Sequence, residues 1–313
     1  MKGRFAPTLE MRYGVRWVFC VTAGMLLFGL TACAPPRGDS VVVGAKNFTE
    51  QVILGELLAQ QVEAEFQVEG KRQRVERRFY LAGSYLCQQA LVSGRIDAYV
   101  EYSGTALTAI LKQPLPPAHD EAAVYLTISK LYEQRYRVRV EAGLGFEDTF
   151  AMVVRPDIAQ KWGLKKISDT GLHAREMRLG VGYEFQARPD GLDGLEKAFG
   201  LQFGQPRVMD LGLLYRALAA GQVDIVAGNS TDGPIRALGF RVLEDDKRYF
   251  PPYEAVPLVR DDALREHPEI GRAMARVAGK ISASEMQAMN DAVDGRHEDA
   301  GDVVRRFRTG KGL

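Results

Sequence analysis

Cysteine and histidine are scarce in this sequence: of 313 residues, three are Cys and four are His. Cys20, Cys33 and Cys87 are too few and too scattered for a disulfide framework. His119, His173, His267 and His297 form no HExxH pair and fall in no ligand motif, so no metal centre is expected. A P-loop and a dinucleotide fingerprint are also missing, so neither a cofactor nor a nucleotide is expected. Gly228-Asn229-Ser230 opens like a nucleophile elbow, but Thr231-Asp232 breaks the G-x-S-x-G pattern. No charge sign prevails: 41 Lys and Arg stand against 40 Asp and Glu, without a basic block, which excludes nucleic acid as the partner. Only one long apolar run occurs, so the body is expected to be soluble. These absences put a binding protein ahead of an enzyme.

The apolar run, residues 17–30, follows Lys2, Arg4, Arg12 and Arg16 and has signal-peptide length, short for a bilayer span. Behind it Leu30-Thr31-Ala32-Cys33 resembles the lipobox of bacterial lipoproteins, in which the Cys becomes the first residue and carries lipid. The expectation is a lipoprotein signal peptide over 1–32 and a lipid-anchored linker over 33–40. The chain would then work outside the cytoplasm, in the periplasm or on the outer face of the cell membrane, tethered through Cys33. A signal anchor left uncut and a Cys after an ordinary signal peptide remain as alternatives. The rest of the chain carries 37 basic and 39 acidic side chains, a net charge of −2, and is long for one compact core. Cys87 lies on an apolar helical face, as a buried inert thiol does.

One stretch recurs. Ala90-Leu91-Val92-Ser93-Gly94-Arg95-Ile96-Asp97 is echoed by Ala217-Leu218-Ala219-Ala220-Gly221-Gln222-Val223-Asp224. Each reads as a last helical turn, a Gly stop and an apolar strand. Ahead of them Val41-Val42-Val43-Gly44 leads to Lys46, and Leu179-Gly180-Val181-Gly182 leads to Arg188. Two α/β units half a chain apart point to two lobes built alike.

Periodicity and punctuation predict helices over 49–64, 84–92, 121–135, 192–199, 213–220 and 268–277. Asn47 with Glu50 offers an N-cap and a first-turn acid for the first of them. Strands are predicted over 41–44, 75–81, 96–101, 149–154, 178–181, 207–209, 224–227 and 255–259. Alternating strands and helices imply mostly parallel sheets, with ligands off the carboxyl ends of the strands. The loops there are 46–51, 101–105, 184–190 and 228–233.

Those loops carry a resemblance. Lys46-Asn47-Phe48-Thr49-Glu50-Gln51 and Glu101-Tyr102-Ser103-Gly104-Thr105 resemble signature segments of the ABC-importer substrate-binding proteins for glycine betaine, choline and related osmoprotectants. The likeness continues in Gly145-Phe146-Glu147-Asp148-Thr149-Phe150-Ala151, Arg188-Pro189-Asp190-Gly191, Ser230-Thr231-Asp232-Gly233 and Pro251-Pro252-Tyr253, and spans essentially 41–313. It implies an α/β, two-lobed periplasmic-binding-protein fold of type II, with lobe 1 at 41–146 and 253–313 and lobe 2 at 147–252. It also implies an ABC permease and its ATPase as partners, and a monomer is expected.

By this resemblance the ligand carboxylate is gripped by Lys46, Thr105 and Arg188. The methylated cation is caged by Tyr102, Phe150, Asn229 and Tyr253, with the Asp148 carbonyl nearby. The residue types suit a betaine. A carboxylate wants charge-assisted donors, and a quaternary ammonium, having none of its own, wants aromatic faces worth about 0.5–2 kcal/mol each. Two cage positions depart from the Tyr that the resemblance implies at all four. Phe150 keeps a ring without a hydroxyl, and Asn229, in the slot of its repeat that Tyr102 fills in the other, has no ring. A thinned cage implies weakened or altered specificity for a zwitterionic osmolyte. Phe185 is either core or cleft lining. A sensor lipoprotein with the same cleft, and more remotely a hydrolytic enzyme, remain as other readings.

Overall fold

The computed structural model describes residues 40–116 and 119–313. The expected signal peptide, Cys33 and the linker as far as 39 lie outside the described residues.

Among the described residues ten strands follow one another: β1 (Val42–Gly44), β2 (Glu76–Arg78), β3 (Ala98–Tyr102), β4 (Val138–Val140), β5 (Phe150–Val154), β6 (Leu179–Val181), β7 (Arg207–Val208), β8 (Ile225–Asn229), β9 (Arg241–Val242) and β10 (Ala255–Arg260). They form two sheets, ordered β2-β1-β3-β10-β4 and β7-β6-β8-β5-β9. The orders are the same once β6 is matched to β1, β8 to β3 and β5 to β10, so the echo in the sequence is an echo in topology. Gly94 and Gly221 end their helices in the left-handed region, at φ of 74° and 65°, which an L side chain rarely adopts.

The sheets are parallel except for one strand each. β1 runs with β2 and β3, and β10 runs against both β3 and β4. In the second sheet β5 is the reversed strand, against β8 and β9. Both reversed strands are the first entered after the chain passes from one sheet to the other. A strand entered from the side where the others end must run against them. The two passages are themselves paired, by the Glu147–Glu254 bridge, by Asp148 N–H donating to the Tyr253 carbonyl at 3.1 Å and by Ala255 N–H donating to Phe146 at 3.1 Å.

Predicted helices at 84–92, 192–199 and 268–277 are found as Ser84–Val92, Leu192–Phe199 and Pro268–Val277. The first helix runs on to Val68, and its N-cap is Phe48, without a side-chain cap. The cap expected at Asn47 is thereby corrected, since Asn47 stands one residue before the cap position; its amide nitrogen donates to Asp210 at 3.4 Å, in the second half of the fold. The short helices Pro156–Trp162, Tyr183–Ala187, Gly233–Ala237 and Asp261–Glu266 had gone unpredicted, and so had two longer ones near the C-terminus. Ala283–Asp294 opens with a Ser282/Glu285 capping box and Ala300–Lys311 is capped by Asp299. Both pack on the helix Thr49–Val68, and Ala283–Asp294 also packs on Gly233–Ala237 from the second half. A Cβ on Gly233 would stand 2.8 Å from the Asp291 nitrogen, so the helices close in only because residue 233 is Gly. Cys87 is fully buried and burial pushes its thiol up to about 12, which leaves it unreactive.

Candidate ligand-binding cleft

The residues singled out in the sequence converge. Lys46, Tyr102, Thr105, Asp148, Phe150, Arg188, Asn229 and Tyr253 all line one cavity of about 140 Å³. They arrive from the carboxyl ends of the forward strands β1, β3, β6 and β8 and from the entry ends of the reversed strands β5 and β10, which all reach the same gap.

Both cations in that wall are buried and already paired. Lys46, 2 % exposed, binds Glu101, which is fully buried and also accepts from the Tyr102 N–H at 2.8 Å and the Tyr99 hydroxyl at 3.2 Å. Arg188, 4 % exposed, holds Asp190 by two bonds, Nε–Oδ1 at 2.9 Å and Nη2–Oδ2 at 2.6 Å. Asp190 further accepts from the Tyr253 hydroxyl at 2.7 Å and the Thr108 hydroxyl at 2.9 Å, both from the half that carries the first sheet. With the guanidinium beside it, its carboxyl stays below the usual range in spite of burial.

Three rings face these cations. Lys46 Nζ stands 4.7 Å from the Tyr102 ring centroid, and Arg188 Cζ stands 4.8 Å from that of Phe150 and 5.8 Å from that of Tyr253. Phe185 is cleft lining as well as core, since it is buried, lines the cavity and meets Phe150 edge-on at 4.9 Å. Phe48, not singled out from the sequence, stacks on Tyr102 at 6.5 Å. Asn229 pairs with Phe150 across β8 and β5, as Tyr102 pairs with Ala255 across β3 and β10, so it does occupy the matching slot.

Sequence reasoning missed the acids. Glu101 and Asp190 sat inside quoted motifs, yet nothing in their spacing announced a counterion. Glu184 was missed as well. Its carboxylate accepts from the Ser84 N–H at 2.5 Å, at the first turn of the helix Ser84–Val92, where the helix dipole favours an anion. A Cβ on Gly83 would lie 2.1 Å from that carboxylate, so a side chain there would displace Glu184 from the Ser84 N–H.

A second acid group lies behind the rings. Thr231 Oγ1 is in hydrogen-bond range of both Glu50 and Asp148, the latter at 2.7 Å, and the Tyr102 hydroxyl donates to Glu50 at 2.7 Å. One hydroxyl has one proton to give, so one of the two acids keeps its own and donates it to Thr231. Burial raises Glu50, and burial with the Glu50 charge raises Asp148 well above the ordinary range. Burial also pushes Asp232 up to about 7, although Asn229 N–H and the Tyr215 hydroxyl donate to it.

The sign of the resulting pH dependence follows. The unfolded chain releases these protons from about pH 4 upward, while the folded chain keeps the one on Asp232 to about 7. The contribution is present below the unfolded value and is lost as pH rises towards 7. Glu269 and Glu285, held at about 2, stay ionised throughout and do not oppose it. We expect the thermal midpoint to fall by roughly 5 °C between pH 5 and pH 8. A flat or rising profile over that range would contradict the buried, protonated acids.

The pattern of the family described as the substrate binding domain of ABC-type glycine betaine transport systems matches residues 39–309. The chain belongs to that family. It is 31% identical over 285 residues to the carnitine transport binding protein OpuCC of Listeria monocytogenes, covering 89% of this chain and 90% of that one. It is 32% identical over 277 residues to a glycine-betaine-binding protein of Pseudomonas aeruginosa, covering 85% and 86%. The crystal structure of a glycine betaine/carnitine/choline ABC transporter protein superposes with a TM-score of 0.70 at 31% identity, over 87% of this chain and 99% of that one. The fold is that of a type II periplasmic binding protein. Members of the family are extracytoplasmic proteins that bind quaternary-amine solutes and work with an ABC permease and its ATPase. Among the described residues no helix is long and apolar enough to cross a membrane.

Proposed function

We propose that the chain is the lipid-anchored solute-binding subunit of an ABC importer. It takes a small zwitterionic osmolyte, of glycine betaine or carnitine chemistry, between lobe 1 (41–146 and 253–313) and lobe 2 (147–252). The observation that carries this reading is the charge balance of the cavity. Two buried cations are each neutralised by a buried acid, Lys46 by Glu101 and Arg188 by Asp190, with aromatic rings between them. With both cations already neutralised, a bare anion would find no free counter-charge in the cavity. A zwitterion brings no net charge and uses both kinds of wall.

In this reading the carboxylate takes the remaining N–H groups of Lys46, Arg188 Nη1 and the Thr105 hydroxyl. The ammonium lies against Tyr102, Phe150 and Tyr253, on the faces turned from the protein's own cations, with Asp148 beside it and Asn229 on the thin side. Contacts that join the halves support closure about the paired passages. They are Tyr253 and Thr108 on Asp190, Glu184 on Ser84, and Asn290 Nδ2 donating to the Thr231 carbonyl at 2.8 Å. The closed form presents both lobes to the permease, and the anchor at Cys33 keeps the subunit at the membrane.

Calorimetric titration of residues 34–313 with glycine betaine, carnitine, proline and choline tests the reading. Glycine betaine or carnitine should bind at least tenfold tighter than choline, which lacks the carboxylate, a difference of about 1.4 kcal/mol. Choline binding as tightly as the zwitterions would remove the carboxylate grip.

A further inference from the structure

The first sheet has an end that the cleft does not use. β1, β2, β3 and β4 all start there, since β1 runs with β2 and β3, and β10 runs against both β3 and β4. The cavity residues stand at the opposite ends of these strands. The chain enters β1 at this face from Ser40, and the Val41 carbonyl accepts there from Glu76 N–H at 2.8 Å.

An exposed arginine precedes each of the other three strands: Arg74 before β2, Arg95 before β3 and Arg137 before β4. Arg72 is exposed beside Arg74. None of these four forms an ion pair among the described residues. Nearby, Glu69 is taken by Lys71 and Arg272, and Asp262 by Arg260. Asp261 and Glu266, which follow β10 at the same end, are too few to neutralise the four.

The duplicated plan supplies a control within the molecule. Asp97 accepts from Val42 N–H at 2.8 Å, as Asp224 does from Arg178 N–H at 2.9 Å, which fixes the match between the halves. Carried along the strand pairings, Arg74, Arg95 and Arg137 match Phe203, Gln222 and Gly239. Arg155 and Arg178, which stand at that end of the second sheet, are both tied to Asp224. The row of unpaired arginines is therefore not a property of the repeated unit. It belongs to the half that the linker enters.

Resting on the lipid-anchored reading above, we propose that this arginine face lies on the anionic phospholipid headgroups of the membrane and keeps the cleft on the solution side. Seven peptide steps separate Cys33 from Ser40, so even a fully extended tether is only about 25 Å long. A lipid on Cys33 brings the bilayer to the start of β1, where the arginines are. Each basic side chain near an anionic surface strengthens partitioning roughly fivefold. A guanidinium also takes a phosphate by two parallel hydrogen bonds. One lipid anchor joined to a basic patch holds a protein far better than either alone. The cleft and the second half then point away from the bilayer, open to solute.

Sedimentation of residues 34–313 with vesicles tests the face without the anchor. Phosphatidylglycerol vesicles should bind the chain at least a hundredfold more strongly than phosphatidylcholine vesicles, and raised salt should remove the difference. Changing Arg72, Arg74, Arg95 and Arg137 together to Gln should abolish most of that preference and leave the thermal midpoint unchanged. Changing Lys161, Lys165, Lys197 and Arg236, four exposed cations of the second half, to Gln removes the same charge and should leave the preference intact. Equal binding to the two lipids, or the same loss from either set of four, would overturn the arginine face and leave the anchor reading standing. A full chain that carries no lipid on Cys33 would overturn the anchor, and this proposal with it.

Discussion

Replacing Arg188 with Ala should weaken every carboxylate-bearing ligand by at least a hundredfold, about 2.7 kcal/mol. The same substitution should also lower stability. The guanidinium is buried, holds Asp190 by two bonds and stands over Phe150 and Tyr253. Its removal leaves the Asp190 carboxylate buried and without its cation, and breaking a buried pair from one side costs about 3–5 kcal/mol. Two effects are therefore superimposed, and a second substitution separates them. Asp190→Asn in the Arg188→Ala background takes away the orphaned charge but still offers an oxygen to Tyr253 and Thr108. The double variant should regain most of the lost thermal midpoint and none of the lost affinity. Affinity that survives in the single variant, or that returns with the midpoint in the double, would mean that Arg188 is structural and the carboxylate is held elsewhere.

Asn229→Tyr should act in the opposite direction on the smallest ligand. It places a ring at the end of β8 in the position that Tyr102 holds at the end of β3, opposite Phe150 in the strand register. A desolvated aromatic face is worth about 0.5–2 kcal/mol to a quaternary ammonium, so glycine betaine should gain roughly tenfold. Titrating glycine betaine on both proteins reads the gain directly. A loss for glycine betaine would show that the Asn side chain itself takes part in binding.

How far the sequence could be read depended on distance along the chain. The helix–Gly–strand units at 90–97 and 217–224 were legible because a C-terminal glycine stop and an apolar strand are short-range signals, and they carried the two-sheet plan with them. So were the loops at the strand ends, and with them all eight cavity residues named beforehand. Asn229 was legible too, as the ringless partner of Tyr102. The weakly patterned strands β4 and β9 and the helices Ala283–Asp294 and Ala300–Lys311 went unseen, although Ser282 and Glu285 spell a capping box. The N-cap expected at Asn47 failed because the helix starts at Thr49 with Phe48 in the cap position, which leaves Asn47 one residue too early and its amide nitrogen free to donate to Asp210.

By itself, the sequence determined the α/β class, the duplicated plan, the family and the set of residues that gather in the cleft. Each of these is written in short motifs and in periodicity that survive without a partner. Only the tertiary structure decided how those residues are charged and what they face. Lys46 meets Glu101 across 55 positions, and Glu50 meets Thr231 across 181. The raised carboxyl groups behind the rings likewise belong to groups brought together from distant parts of the chain. The energy of a buried charge is set by the nearest atoms in space, and the fold chooses those neighbours.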